Sequence, residues 1–465
     1  MTQGGTASSQ QGMNMTEGVI WKQLLAFSLP LLVGNLFQQL YNTVDSIVVG
    51  NFVGKQALAA VGTSNPIINL VIGMFLGTAT GAGVIISQYY GAGDDKKLYW
   101  AVHTCMAFSI IGGIVLTAAG YFLAPVILRW VKTPADVLDS SILYFQIFFC
   151  GSLFNLVYNM GAGILRAVGD SKRPLYYLCV SSVVNIILDL VFVIWFRMGI
   201  SGVGYATVIA QAVSAVLVMR ALVRSQGPYR VVLSQIKIDR RMMRRILAIG
   251  LPSGLQQSII SLSNVIVQAN VNVFGSAAVA GYGAYSKVDG FVLLPLQSTC
   301  MAATTFTGQN IGAGRVDRVK KGIIQNIIIS ASYTLAVSIA LYFGGRQIIG
   351  IFTDDVEIIE YGCKTIRIIL AFYVTMAVHQ VLMGAYRGAG RTFAAMMIGI
   401  GNMCVLRMIY INFLVPHFPS YEAVMWCYPI TWITTVLMDF VYCWKVHWLP
   451  KTEDGMREQT IQSRS

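Results

Sequence analysis

Residues 88–93 read Gln-Tyr-Tyr-Gly-Ala-Gly, and residues 309–314 read Gln-Asn-Ile-Gly-Ala-Gly. Gln, Gly, Ala and Gly recur at one fixed offset, that of Gly91 to Gly312. At the same offset Tyr121-Phe122 returns as Tyr342-Phe343, Arg166 and Gly169 as Arg387 and Gly390, and Asn51 as Asn272, so the stretch from Asn51 to Gly169 aligns without a gap. Such self-similarity marks two copies of one structural unit. The chain is 55% hydrophobic and 11% charged, with mean hydropathy +0.64. A soluble domain carries about 25% charged residues, so this composition calls for lipid as the solvent.

Apolar runs long enough to cross about 30 Å of hydrocarbon recur twelve times. They cover residues 22–49, 57–87, 98–128, 139–165, 175–197, 202–224, 246–272, 279–308, 322–344, 360–386, 393–414 and 423–447. Backbone groups in lipid must be satisfied within the segment, which predicts helices; the alternation of a membrane barrel is absent. The fold class is thus all-α, twelve transmembrane helices in two six-helix bundles. Six is even, so the halves enter from one face as parallel repeats around a central cavity, the plan of a transporter. The predicted boundaries are a disordered tail at 1–18, an amino-terminal bundle at 19–224, a basic linker at 225–245, a carboxy-terminal bundle at 246–448 and a tail at 449–465.

The net charge is +13. Basic residues cluster at 96–97, 172–173, 220–245 and 315–321, whereas Asp136, Asp139, Asp354, Asp355, Glu357 and Glu360 lie in loops on the other side. The positive-inside rule then places both termini in the cytoplasm and explains the charge without nucleic acid as a partner. The linker is read as a topology anchor. The eight cysteines are scattered singly and the four histidines lack metal-ligand spacing. No His-Glu-x-x-His, Gly-x-Ser-x-Gly or Gly-x-x-x-x-Gly-Lys-[Ser/Thr] motif is present, which excludes the commonest zinc, serine-hydrolase and ATP-driven chemistries.

Two acids lie inside predicted spans of the first half, Asp45 in helix 1 and Asp189 in helix 5. Each costs about 2.5–3.5 kcal/mol at a helix centre, so a use is expected. Gln38, Tyr41, Asn42 and Asp45 share one face of helix 1, and Ser181, Asn185 and Asp189 one face of helix 5. Asn155, Tyr158 and Asn159 group on helix 4, and Thr207, Gln211 and Ser214 on helix 6. These stripes predict a hydrated interior in the first bundle. At the repeat offset Asp45 becomes Ile266, Asn185 becomes Leu406 and Asp189 becomes Tyr410. A structural acid pair belongs in both copies, whereas an ion-coupling site is needed once. Pro30 precedes Asp45 on the same predicted helix and is either a hinge that follows its charge or a static kink.

The second half differs. Gln257, Ser261, Asn264, Gln268 and Asn272 form a stripe on helix 7 that lines either the cavity or the bundle seam. His379 in helix 10 either faces substrate or is hydrogen-bonded in the interior. Lys287 and Asp289 in helix 8 do not share a face. Arg407 and Asp439, in helices 11 and 12, are expected to form a structural ion pair.

The six-plus-six plan, the duplicated Gly-Ala-Gly turns at 91–93 and 312–314, the Arg-x-x-Gly turns at 166–169 and 387–390, and Asp45, Asn185, Asp189 and Thr207 together resemble the multidrug and toxic compound extrusion (MATE) family over residues 19–448. Carboxylates are absent from helices 7 and 10, so the chain looks more like the DinF-like than the NorM-like branch. The resemblance implies a cation site at Asp45, Asn185, Asp189 and Thr207, which would hold H⁺ or Na⁺, with no other metal and no cofactor. It implies export of amphipathic, often cationic small molecules by antiport, in the bacterial inner membrane, by a non-enzymatic protein expected to be monomeric. Substrate and cavity candidates are Gln38, Tyr41, Asn42, Asn155, Tyr158, Asn159, Gln257, Ser261, Asn264, Gln268 and His379. Flipping of a lipid-linked oligosaccharide is the alternative; a basic cavity would favour it, but the basic residues here sit in loops.

Overall fold

A computed structural model of the chain describes residues 12–131 and 133–450, with the backbone alone at residues 46, 51, 55–67, 69, 70 and 136. Most of the expected amino tail, residues 451–465 and the side chains of Asn51 and Asp136 lie outside that set. Among the described residues every regular element is helical. The first half contains α1 (Ile20–Val48), α2 (Lys55–Gly91), α3 (Asp95–Trp130), α4 (Ala135–Cys150), α5 (Ser152–Ala167), α6 (Lys172–Leu190) and α7 (Ile200–Arg224). The second contains α8 (Arg240–Val271), α9 (Ser276–Gly312), α10 (Val316–Gly350), α11 (Val356–Leu370), α12 (Tyr373–Gly388), α13 (Thr392–Ile400), α14 (Arg407–Ile409), α15 (Tyr421–Met425) and α16 (Cys427–Lys445). Wider π-helical turns extend α1 (Val49–Val53) and α6 (Val191–Trp195), and flank α14 (Gly401–Leu406 and Tyr410–Leu414).

The repeat survives in the helix ends: α9 starts and stops at the repeat mates of the residues that bound α2, and α12 does the same for α5. α2 and α9 have 37 residues each, α3 has 36 and α10 has 35. At about 1.5 Å per residue each exceeds the roughly 30 Å hydrocarbon layer and projects beyond it. Nine helices among the described residues are long and apolar enough to cross a membrane, or eleven with two bent pairs counted as one span each. α9 is long enough but more polar, and completes the twelve.

The bent pairs refine two predicted spans. Spans 139–165 and 360–386 are each two helices, meeting at 45° between α4 and α5 and at 56° between α11 and α12. Gly151 and Phe372 mark the breaks and stand at matching positions of the repeat. At Gly151 a Cβ would lie 2.6 Å from the Gln211 side-chain oxygen, so the bend brings backbone against α7 where a side chain has no room. The motif glycines have a local cause. Gly93 (φ 65°) and Gly314 (φ 70°) close α2 and α9, and Gly169 (φ 89°) and Gly390 (φ 77°) close α5 and α12, all in the left-handed region that ends helices cheaply only with glycine.

The helices group into two units. One comprises residues 12–14 and 29–251, the other residues 15–28 and 252 onward. Each unit therefore takes in the lead-in to the other's first helix. In the first unit, His103 Nε2 accepts from the Val232 N–H at 3.0 Å, Thr104 Oγ1 from the Asp239 N–H at 3.1 Å, and Arg245 donates to the Tyr89 hydroxyl at 2.7 Å. The segment expected to be a linker is thus laid along α3. In the second unit, Gln309 Oε1 accepts from the Met15 N–H at 2.9 Å, and Arg315 and Arg318 donate to the carbonyls of Thr16 and Met15 at 2.6 and 3.2 Å. Met15 and Thr16, placed in the expected tail, are held by these groups, and Met15 is fully buried. Between them the lead-ins satisfy polar groups at the ends of α2, α3, α9 and α10.

In the first unit α2 and α8 approach closely. A Cβ on Gly81 would lie 2.5 Å from the Gly250 nitrogen, and one on Gly250 2.6 Å from the Thr78 Cα. Gly81→Val and Gly250→Val are expected to destabilise the protein by about 1–3 kcal/mol, read as a lower melting temperature in detergent. Gly283→Val, with nothing within 4 Å of its Cβ position, should melt close to wild type.

Candidate cation-coupling site

α1 and α6 bring their acids together. The carboxyls of Asp45 and Asp189 come within hydrogen-bonding range of one another. Asp189 and Asn185 are buried, and Asp45 is half-buried. Both oxygens of Asp189, Oδ1 of Asp45, and the side-chain oxygen and nitrogen of Asn185 are buried with no protein hydrogen-bond partner. Buried polar atoms are nearly always partnered, so a cluster of orphans demands an explanation. Here it is chemical: the carboxyls and an amide oxygen supply acceptors, and no protein donor, the unpartnered Asn185 amide nitrogen included, hydrogen-bonds to the unpartnered carboxyl oxygens. A shared proton or a small cation would satisfy them, and the donor set, all hard oxygens, suits Na⁺ as well as H⁺.

Thr207 on α7 is buried, and its hydroxyl donates to the Val203 carbonyl at 3.0 Å, leaving its oxygen lone pairs as acceptors. Tyr41, one turn before Asp45, lies in the field of both acids, as does Tyr144 of α4. Tyr144 is not legible as a site residue in the sequence, where it reads as one aromatic of an apolar helix. Both acids also precede a change of helix geometry: α1 becomes π-helical at Val49 and α6 at Val191. π turns recur at functional sites because the widened turn shifts side chains out of α register.

The remaining candidates separate by exposure. Gln38 and Asn42 are exposed on α1, and Gln257, Ser261 and Asn264 on α8. Asn155, Tyr158 and Asn159 are half-buried and locally bonded. Asn159 donates to Asn155 Oδ1 at 3.0 Å and Tyr158 to the Pro174 carbonyl at 3.2 Å. Gln268 donates to Asn272 Oδ1 at 3.0 Å. Pro30 is half-buried within an unbroken α1. Among the described residues no group of three or more His, Cys, Asp or Glu side chains is arranged to hold a metal.

The second bundle corrects one expectation. Arg407 and Asp439 do not pair. Asp439 Oδ2 lies 2.7 Å from His379 Nδ1, both side chains being almost completely buried. Arg407 instead donates to Asn264 Oδ1 at 2.8 Å and Thr431 Oγ1 at 3.4 Å, and lies over the Tyr428 ring. A neutral amide and a hydroxyl reach the guanidinium, and a histidine from α12 reaches the acid. His379 is therefore turned into the bundle. Asp289 likewise accepts from Tyr285 at 3.1 Å and from Tyr373, while Lys287 lies over the Phe352 ring.

This geometry defines an all-helical, multi-pass membrane protein of duplicated bundles with an acidic site of unpartnered carboxyl oxygens in one of them. The family model MatE matches residues 30–191 and again 252–413, one match per half. The chain belongs to the MATE family of multidrug transporters. It is 30% identical to the probable multidrug resistance protein YoeA of Bacillus subtilis over 91% of this chain and 93% of the relative. It is 30% identical to the probable multidrug resistance protein YpnP of the same organism over 85% and 88%. The multidrug export protein MepA of Staphylococcus aureus is 23% identical over 82% and 84%. The fold is similar to that of a crystal structure of a MATE P26A mutant, with TM-score 0.88, 21% identity and coverage of 98% and 100%.

The side-chain pairing in the second bundle is open to a double-mutant cycle. His379→Ala and Asp439→Ala should each destabilise by about 3–5 kcal/mol, because each leaves its partner buried and unpaired. Their effects should be non-additive by about 0.5–3 kcal/mol, whereas Arg407→Met and Asp439→Ala should combine nearly additively. Thermal melts of the purified variants measure both.

Proposed function

We propose that the chain is a secondary active exporter of amphipathic, often cationic organic compounds, driven by antiport of H⁺ or Na⁺ through Asp45, Asn185, Asp189 and Thr207. The observation that carries this reading is the facing carboxyl pair with no protein donor. Two carboxylates at that separation repel when both are charged, and one bound cation turns the repulsion into mutual attraction. The site therefore has two electrostatically distinct states, which is what coupling to a gradient requires. In the bacterial inner membrane with both termini cytoplasmic, a cation moving inward across 100 mV supplies about 2.3 kcal/mol. One pH unit adds about 1.36 kcal/mol. Together they sustain about a 500-fold gradient of a neutral solute.

The names of the relatives support export of small molecules, and the exposed polar groups support where substrate is met. Gln38 and Asn42 on α1 and Gln257, Ser261 and Asn264 on α8 lie in membrane-crossing stretches yet are exposed. Facing hydrocarbon they would be costly, so they are read as facing water and solute. Amide and hydroxyl groups can accept cationic solutes without fixing one shape.

In proteoliposomes, the wild-type protein is expected to move a fluorescent organic cation when a pH or sodium gradient is imposed, and the gradient that drives it identifies the ion. Asp45→Asn and Asp189→Asn should each slow the initial rate at least about 100-fold, as expected for losing a group that acts in every turnover, while melting as well as wild type. Normal gradient-driven transport by both variants would refute the assignment.

A further inference from the structure

Where α6 begins and α7 ends, the first bundle carries an open cavity of about 490 Å³ lined by Arg173, Tyr177, Leu217, Arg220, Ala221, Arg224 and Ser225. That volume lies in the range of small-ligand sites. Three guanidiniums converge on it. Asp170 pairs with Arg173, Oδ2 to Nε at 3.0 Å, while its Oδ1 caps α6 by accepting from the N–H groups of Lys172 and Arg173. Arg220 and Arg224 have no acidic partner among the described residues. They sit at i and i+4 on α7, where like charges repel, so the cavity has excess positive charge and planar, forked donors suited to phosphate oxygens. The Tyr177 and Ser225 hydroxyls add neutral polar groups.

What lies beside the arginines selects among anions. Arg173 continues along its own face of α6 into Tyr176, Val180, Val183 and Ile187, all exposed. Arg220 continues on α7 into Val216, which is 63% exposed, and Ile209. These residues lie inside the spans Lys172–Trp195 and Ile200–Arg224, and the arginines lie at the span ends. A basic, head-sized cavity thus opens onto two apolar helix faces that enter the membrane. We propose that this cavity binds the headgroup of an anionic glycerophospholipid, the phosphate against Arg173, Arg220 and Arg224 and the acyl chains along the exposed faces of α6 and α7. Basic pockets between membrane helices hold anionic headgroups by the same means. The site is independent of the carboxyl pair and stands whatever ion drives transport.

Native mass spectrometry and thermal melts of the full-length protein in detergent, titrated with phosphatidylglycerol, phosphatidylcholine or inorganic phosphate, test this. Wild type should retain phosphatidylglycerol in preference to phosphatidylcholine and melt higher with it. Arg220→Gln/Arg224→Gln should weaken that retention by about 30-fold, from about 1 kcal/mol per arginine. Arg241→Gln/Arg244→Gln, which removes the same charge from exposed positions outside the cavity, should keep it. Equal retention of the two lipids, an unaffected Arg220/Arg224 variant, or equal loss in the Arg241/Arg244 variant would each overturn the proposal. A thermal shift of the same size from inorganic phosphate would overturn it in favour of a free oxyanion site.

Discussion

Two carboxyls held against each other in an apolar bundle are the constraint around which the first half is organised. Two unit charges about 4 Å apart repel by about 4 kcal/mol even at an effective dielectric constant of 20, and burial adds to the cost of each. The protein does not relieve this with a donor: Asp189 and Asn185 keep buried, unpartnered atoms. It holds the groups in place with helices that are otherwise well packed. Tyr144, Phe145 and Phe149 of α4 and Val193, beyond the end of α6, belong to one apolar core. Under the proposed function, this misfit of charge inside a well-fitted scaffold is what a bound cation would relieve.

The second bundle has nearly the same scaffold with a different polar content. α9 and α12 reproduce α2 and α5 to the residue at both ends. Yet its buried charges have partners: Asp439 has His379, Asp289 has Tyr285 and Tyr373, and Arg407 has Asn264 and Thr431. The contrast is one of degree: Asp439 Oδ1 and Arg407 Nε are also unpartnered, but each of those groups makes at least one protein hydrogen bond, whereas neither oxygen of Asp189 makes any. Partnered groups cost little to keep buried and give the bundle a fixed arrangement. Orphaned groups are costly and persist where they are used. Duplication supplied two scaffolds, and the acids on α1 and α6 make only the first a candidate for coupling.

Periodicity made the helices legible, and the constant offset between matching motifs made the duplication legible, because both are properties of the chain read locally. The acids of α1 and α6 could be singled out because an insertion penalty needs no knowledge of neighbours. Partners were less accessible. Opposite charge and proximity in sequence suggested Arg407 with Asp439, but the partner of Asp439 comes from α12, and the rotation of α16 decides which face meets which helix. The breaks at Gly151 and Phe372 were hidden for a related reason. The two residues share no chemistry, so the bend belongs to packing against neighbours and not to a breaker residue. The contact of Asp45 with Asp189 joins the first helix of the bundle to one of its last and follows only once α1 and α6 are placed.

Helix winding separates the halves further. The π turn after α6 has a counterpart in the second half, at Tyr410–Leu414, where no acid stands, so it belongs to the shared scaffold. The π turn after α1 has none: α8 ends instead in a tight 3₁₀ turn at Asn272–Phe274. One helix is locally underwound and its repeat mate overwound at matching positions. Underwinding spends an extra residue per turn and changes the direction of the side chains that follow. In α1 it begins at Val49, one turn past Asp45, in a helix that also contains Pro30, whereas α8 has its proline one position later in the repeat, at Pro252. The first helix is therefore specialised twice, by an acid and by the geometry beyond it. A substitution that placed an aspartate at Ile266 would restore the residue without restoring the winding.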